Sequence, residues 1–500
     1  MRWGARGVCG VQGARQTQAV SSPPPVSGSK YPHGRRGVPY SPPSSLKRRS
    51  SAPPSLRCWK TTSGARRGGW RMRRPAGWCL LLTALVLGAA TPAVAGDKGL
   101  TDSETFSGFQ FNFNNPGARS LGMGGAFVAV ADDATAVIAN PAGLVILQRP
   151  ELSAEVKFTR FTNTIDAFSN TPDDAFGENF RSKDFHDNVV TPSFFSFVYP
   201  SERLVVAAFI RELINYKSRF ETQGVFFVDP AGSGVVRLFP VKSQLEIQAL
   251  NFGLGAGLNL EKEHPLLPNI GASLEFSVGR IRSRLERFDF GGALISTETI
   301  DGTDVGIGFN IGALWHPMKD MGVGVVYRRG PRYDVHQTIS VVGGDSTVFD
   351  FGFKVPDVAA AGISYRFFER LTLAFEATYI QYSQLVKNFQ VPLADAVATK
   401  YRLNDALELH VGGEYIFFLK DIPFAARAGF YTNPDHKIRY TGGPHDASEA
   451  ADRVLYQGGK DRYHGTVGLG VVPFPGFQLD FAGNYSKDVR EFSVSTVFRF

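Results

Sequence analysis

From Glu151 to the end of the chain, apolar and polar residues alternate with a period of two, segment after segment. That period belongs to strands whose two faces meet different surroundings. Leu250, Phe252, Leu254, Ala256, Leu258 and Leu260 share one face, and only Asn and Gly occupy the other. Val305, Ile307, Phe309, Ile311 and Ala313 alternate in the same way with Asp304, Gly306, Gly308, Asn310 and Gly312. Near the end, Phe477, Leu479, Phe481 and Tyr485 alternate with Gln478, Asp480, Asn484 and Ser486. Each run is long enough for the roughly 9–11 residues that a tilted strand needs to cross a bilayer. The pattern predicts about fourteen strands, beginning near Glu151, Val190, Arg203, Gln244, Asn269, Thr297, Gly322, Asp350, Arg370, Asn404, Pro423, Asp461, Gly476 and Val489.

A soluble sandwich would alternate too, with apolar residues turned to a core and polar ones to water. The connections argue for a membrane barrel instead. Tight links at Pro200-Ser201-Glu202, Pro317 to Asp320, Phe368-Glu369, Lys420-Asp421 and Phe474-Pro475 interleave with long ones. The long ones span 166–188, 221–243, 387–404 and 434–459. Outer-membrane barrels have short periplasmic turns and long external loops, and an even strand number places both ends on the periplasmic side. The last strand carries Phe492, Val494, Thr496, Phe498 and Phe500 on one face. A terminal aromatic strand of this kind resembles the signal read by the outer-membrane barrel assembly machinery. The fold class expected is therefore all-β, a transmembrane antiparallel barrel over residues 151–500.

Composition sharpens this once the chain is divided. The first 95 residues hold 16 of the 54 Lys and Arg, all three cysteines and no acid. What remains has 38 basic residues against 46 acidic ones, a formal net charge of −8. The basic balance of the whole chain thus says nothing about nucleic acid. With Cys9, Cys58 and Cys79 all in that leader, later disulfides and cysteine chemistry are excluded. Residues 1–71 are rich in Pro, Ser, Gly and Arg, a composition expected to be disordered, and translation could begin at Met72. Residues 72–95 read as a secretory signal, with Arg73 and Arg74 ahead of an apolar core and Ala93-Val94-Ala95 as its cleavage site. The apolar core is too short for a membrane anchor. A mature chain starting at Gly96 is expected in the outer membrane.

Residues 96–150 differ in character from the barrel. A Gly- and Ala-rich run from Asn115 passes Gly122, Gly124 and Gly125, then Asp132-Asp133, and ends at Asn140-Pro141-Ala142. The glycines are not a phosphate loop, because no strand leads in and no Walker lysine follows. Asp132 and Asp133 are expected to cap a short helix over 134–139, which Asn140-Pro141 ends. Small residues suit folding in a confined space, so this segment is expected to plug the barrel lumen as a hatch. Asn140, which can donate and accept, is its expected anchor on the wall.

The run from Gly117 to Leu144 resembles the hatch of the FadL/TodX family of outer-membrane channels for long-chain fatty acids and other hydrophobic compounds. Val355-Pro356-Asp357 through Tyr382-Ser383, and Gly413-Glu414-Tyr415 followed by 427–434, match the habits of the same family. Residues 163–243 match poorly. The resemblance implies a fourteen-stranded barrel closed by a hatch, capture at external loops, and diffusive exit through a lateral opening. Its implied partners are a hydrophobic ligand, the lipid bilayer and lipopolysaccharide, and the expected state is a monomer without cofactors. An alternative function is a non-transporting barrel that anchors or shuttles secreted proteins.

Candidate ligand contacts are fewer. Val225 to Val228, with Val235, Val236, Leu238 and Phe239, form an apolar cluster in an expected external loop, in which Phe226, Phe227 and Phe239 stand out. Such a cluster marks an interaction site, or else it packs over the barrel mouth. A two-residue turn at Lys420-Asp421 sets Glu414 opposite Arg427 on the lumen face. The pair reads as a wall-to-wall ion pair, or Arg427 receives a substrate carboxylate. His410 and His464 share the lumen phase, but no serine sits in a nucleophile elbow and no histidine pair has metal-ligand spacing. Neither catalysis nor a metal site is expected.

Overall fold

A computed structural model describes residues 113, 115–177, 179–228, 234–262, 264, 266–388, 400–443 and 447–500. The leader, the signal segment and the start of the hatch lie outside these residues. The barrel opens with β1 (Glu151–Ser169), β2 (Arg181–Pro200) and β3 (Leu204–Glu221), followed by a small hairpin, β4 (Val225–Val228) and β5 (Val235–Leu238). Four wall strands come next: β6 (Val241–Leu258), β7 (Asn269–Phe288), β8 (Leu294–Met318) and β9 (Met321–Arg329). A second hairpin, β10 (Arg332–Val341) and β11 (Ser346–Lys354), precedes β12 (Val358–Phe367) and β13 (Leu371–Ile380). Two-residue strands β14 (Tyr401–Arg402) and β17 (Arg439–Tyr440) pair with each other around β15 (Ala406–Leu419) and β16 (Ile422–Asn433). The chain ends in β18 (Arg462–Phe474), β19 (Phe477–Tyr485) and β20 (Val489–Arg499).

All pairings in the wall are antiparallel, and β1 pairs with both β2 and β20, which closes the ring. The main sheet counts 16 strands, of which the β10–β11 hairpin is an appendage to β8, so the closed barrel has 14. The alternation follows from this closure. Phe252, Leu254, Val305 and Ile307 stand 44–69% exposed on the outer surface, while Asn251, Asn310 and Asp480 are buried inside. Phe492, Phe498 and Phe500 of the last strand also face outward, and Phe500 N donates to Pro150 O at 3.1 Å, so the two ends of the barrel meet.

The expected turns are present in detail. Lys420 and Asp421 sit at φ 49° and 66°, and Phe368 and Glu369 at 52° and 59°, the twisted geometry of two-residue hairpins. The Lys420-Asp421 turn sets Leu419↔Ile422 and Glu414↔Arg427 in register. Two expectations need correction. The long connection at 166–188 is mostly strand, because β1 and β2 run on past the outer rim and pair to Ser169↔Arg181. The strand expected from Asp350 is two strands, β11 and β12, broken at Val355-Pro356-Asp357 where proline cannot donate to a ladder.

Candidate functional site

Residues 115–147 fold inside the barrel around two short helices, α1 (Ala118–Gly122) and α2 (Ala136–Ala139), and a 3₁₀ turn, Pro141–Ile146. The hatch backbone lies directly on inward glycines of the wall. A Cβ at Gly412 would stand 2.1 Å from Met123 O, one at Gly429 2.3 Å from Gly124 N, and one at Gly324 2.3 Å from Val128 O. Gly312 meets Asn140 Oδ1 at 2.1 Å in the same sense, and Gly271 meets the Pro141 carbonyl carbon at 2.2 Å. These wall positions are glycine because hatch backbone, or at Gly312 the Asn140 side chain, packs directly on the strand there.

Wall side chains satisfy the hatch's polar backbone. The Glu376 carboxylate accepts from Phe127 N and Val128 N, both at 2.8 Å. Ser364 donates to Ala129 O at 2.9 Å and Thr466 to Gly122 O at 3.1 Å. His410 Nδ1 bonds Gly124 O at 2.7 Å, and Ala118 N donates to Ser495 Oγ at 3.1 Å. Gly124 and Gly125 turn the chain at φ 64° and 78°, in the region that favours glycine.

Asn140 is extended at φ −160°, ψ 102°, as a residue before proline should be. Its Nδ2 donates to Val128 O at 2.9 Å within the hatch and to Ala313 O at 3.0 Å on the wall, while Oδ1 accepts from Ala142 N at 3.3 Å. Asn140, Pro141 and Ala142 are thus one turn docked against β7 and β8. Asn140→Ala would leave one buried and one half-buried carbonyl without this donor, at a cost of about 1–3 kcal/mol. The expected outcome is faster protease cleavage within the hatch with an unchanged folded band on a heat-modifiability gel. An unchanged cleavage rate would remove Asn140 as the hatch's anchor, and loss of the folded band would make it a scaffold residue.

A buried charge cluster joins hatch to wall. Arg119 lays a fork on Glu414, Nε to Oε2 and Nη2 to Oε1, both 2.9 Å, and also pairs with Asp132. Glu414 accepts from Arg427 Nε at 2.7 Å, and Arg427 Nη1 reaches Asp480 at 2.7 Å. Arg427 is therefore engaged by two carboxylates, and its guanidinium is 2% exposed. This favours the ion-pair reading over a ligand carboxylate. Neither of the two expected aspartates caps α2, whose N-cap is Thr135 with no side-chain cap bond: Asp133 accepts from Thr135 N at 2.9 Å just ahead of the helix, and Asp132 is drawn to Arg119. Arg119 and Glu376 were not singled out by the sequence. Arg119 had a signal, being the one basic residue between Gly99 and Gln148.

Beyond the hatch the lumen holds a large buried apolar cluster beside buried polar groups such as Asn163, Ser218, Asn251 and Ser277. Ile214, Tyr216, Leu245, Ile247, Ile281, Ile300, Tyr333, Phe353, Ile380 and Tyr382 form one buried cluster drawn from many strands. Toward the mouth, Phe161 and Tyr216 also line a cavity of about 750 Å³ with Lys437, Lys460, Asp461 and Lys487. Burial, with Arg462 nearby, holds the Lys437 ammonium below its ordinary pKa. The loop aromatics sit apart from this cavity. Phe227 is buried with Val225 against Ala450 and Val454. Phe226 and Phe239 gather around Phe290 at ring distances of 5.3 and 5.7 Å, with Arg237 over Phe290. An open cleft of about 680 Å³ runs along them. One face of the cluster packs against Ala450 and Val454, and the other lines the cleft.

The wall is not continuous. β2 and β3 pair only from Pro200↔Val205 to Phe194↔Arg211. Beyond that, β2 stays on β1, while β3 stays on β6 through a bulge between Glu212 and Ile214. Side chains bridge the break, Arg219 to Asp187 at 2.6 Å and Asn163 to Ser218 at 2.8 Å.

No curated protein sequence matches the chain. Solved structures do match in shape. A FadL homologue of Pseudomonas aeruginosa aligns with a TM-score of 0.54 at 15% identity, covering 79% of this chain and 100% of that one. The toluene transporter TodX of P. putida gives 0.51 at 13%, covering 78% and 99%. The toluene transporter TbuX of Ralstonia pickettii gives 0.50 at 15%, covering 78% and 100%. At these identities the likeness carries the fold alone. The model of the outer membrane protein transport protein family (OMPP1/FadL/TodX) matches residues 100–489, and the chain belongs to that family of transport proteins.

Proposed function

We propose that this protein is an outer-membrane channel for passive uptake of hydrophobic compounds, long-chain fatty acids among them. Ligand is captured at the Phe226–Phe239 cleft, passes the mixed-charge vestibule that Lys437 lines, rests against the apolar cluster of the lumen and leaves sideways past the hatch. The observation that carries the reading is the buried apolar cluster within a lumen that a water-filled pore would line with polar groups. Lipopolysaccharide sugars bar apolar solutes, so a route needs apolar surface outside and an apolar pocket within. The break between β2 and β3 supports lateral exit, since it interrupts the wall beside that apolar cluster. An anchoring barrel would have no use for such a lumen. Gly122, Gly124, Gly125 and the Asn140 turn would shape the path, because they seat the hatch that blocks straight passage.

Lys437 separates the substrate classes. Lys437→Gln is expected to lower uptake of a labelled long-chain fatty acid and leave that of labelled toluene unchanged. Raising the pH should act in the same direction on the unmodified protein. Lys437 loses its charge through its lowered pKa while the fatty carboxylate stays ionised. Equal loss of both substrates would show a role in the path rather than in head-group recognition. Competition of the two labels for uptake into cells with and without the chain tests the reading as a whole; no uptake of either would overturn it.

A further inference from the structure

The wall has a second break, four strands round the fourteen-stranded ring from the first. β8 pairs with β9 from Met318↔Met321 to Phe309↔Arg329, and with β10 only from Ile300↔Gln337 to Ser296↔Val341. Between these ladders residues 301–308 of β8 have no partner strand on that edge among the described residues. The chain leaves β9 at Gly330-Pro331 and passes onto the inner face of β8 and β7. A Cβ at Gly306 would lie 2.7 Å from Arg332 O, one at Gly302 2.7 Å from Val335, and one at Gly279 2.5 Å from the Tyr333 ring. Pro331, which cannot donate to a ladder, marks the departure. Lys354 secures it, donating to Gly330 O at 2.6 Å and to Asp357 at 2.7 Å.

We propose that this seam is a second lateral portal, through which hydrocarbons without a head group exchange between the outer leaflet and the lumen. Its height follows from the register. The seam begins nine residues above the Met318 end of β8, about 23 Å at 3.3 Å per residue and a 40° tilt, near the top of an apolar band ~25 Å tall. The β2–β3 break begins six residues above Pro200, ~15 Å up by the same measure, near mid-membrane. The two openings thus meet different depths of the bilayer, and the seam touches it only with its lower end, beside Val305 and Ile307.

The lining is mixed, with apolar residues toward lipid and lumen and Asp304, Arg332 and Asp334 bordering them. Val305 and Ile307 stand 59% and 58% exposed on the outer side, and Tyr333 and Val335, both 1% exposed, close the inner side as part of the lumen cluster with Ile281 and Ile300. The unpaired edge is quietened locally, since Asp304 accepts from Val305 N and from Asp334 N, both at 2.8 Å. The β2–β3 break, by contrast, is crossed by the Arg219–Asp187 and Lys183–Glu221 pairs. With two backbones held by side chains and packing instead of a ladder, displacement of Tyr333 and Val335 opens the seam by breaking the Tyr333–Ser277 and Asp334–Asp304 bonds but no ladder between β8 and its neighbours.

The inference rests on lateral exchange as read above, and its test separates the two. The chain has no cysteine after Cys79, so introduced pairs can be bridged cleanly. Gly302→Cys/Val335→Cys spans the new seam and Asn163→Cys/Ser218→Cys spans the β2–β3 break, each closed with a short thiol-bridging reagent that reduction removes. Uptake of a labelled alkane is expected to fall several-fold when the new seam is bridged and to recover on reduction. Unchanged alkane uptake with that seam closed overturns the portal. Loss only with the β2–β3 bridge overturns it too and leaves lateral exit standing, while indifference to both overturns both. Should a double variant lack the folded band on a gel, Tyr333→Trp decides. Its fluorescence, over the parent's, should be quenched by lipids brominated along their chains, and no quenching overturns the portal.

Discussion

Arg119→Met is expected to release the hatch from the wall while the barrel still assembles. Arg119 is the hatch's charged link to Glu414, and the fork of two 2.9 Å bonds is largely shielded from water, with the Arg119 side chain 12% exposed. Breaking a buried pair by removing one partner costs roughly 3–5 kcal/mol. The lower end applies here, because Glu414 keeps Arg427 and Asp132 has Arg366 at 3.9 Å. Strand pairing and the terminal aromatic strand do not involve Arg119, so the folded band on a heat-modifiability gel should persist. A loosened plug should admit small polar antibiotics to which the outer membrane is otherwise closed. Arg427→Met provides the contrast. It breaks bonds between wall strands, to Glu414 on β15 and Asp480 on β19, and should lower the temperature at which the folded band is lost. If Arg119→Met left antibiotic entry unchanged, the cluster would not be what holds the hatch.

The difference between these two arginines also shows what was legible in the sequence. Arg427 could be placed opposite Glu414 because a two-residue turn at Lys420-Asp421 counts the register by itself. Its other partner, Asp480, lies two strands further round the barrel, and Arg119 reaches Glu414 across 295 residues. No local spacing carries such contacts. The strands were legible because each crosses from one rim to the other with its outer face in lipid, so the period of two survives almost unbroken. The β10–β11 hairpin escaped for the same reason. Its residues alternate as a wall strand would, and only Pro331 and Pro356 mark where it leaves the ring. The Asn140 turn could be read as an anchor because proline fixes the backbone of the residue before it, yet its partner Ala313 O is a backbone atom that no side chain advertises. The two wall breaks are absences of pairing, which an uninterrupted alternation conceals.

Gly412→Val should have a larger effect on the hatch than loss of any one polar contact, because it removes the space the hatch occupies. Gly412 faces Gly429 across the β15–β16 ladder, and the Met123-Gly124 peptide of the hatch lies upon the pair. The added Cβ would sit 2.1 Å from Met123 O and 2.8 Å from its carbonyl carbon. Neither atom belongs to a flexible side chain, so the peptide itself must move. The turn offers little room, since Gly124 and Gly125 are already committed to φ 64° and 78° and Gly124 O is held by His410. Overpacking a tight interior costs about 1–3 kcal/mol when side chains can shift, and more when backbone must. The barrel strand itself tolerates valine, a residue suited to strands, so the wall should assemble and the hatch should fail to seat along β15. The expected result is a normal folded band, strong sensitivity to small polar antibiotics, and protease cleavage near Met123 that the parent chain resists. Gly413→Val, one position along and pointing outward beside Leu373, is the control, with its Cβ only 3.2 Å from the flexible end of that side chain. Equal sensitivity of the two variants would mean that the strand and not the seat is at fault, and a resistant Gly412→Val would mean that the hatch does not rest where the backbone contact places it.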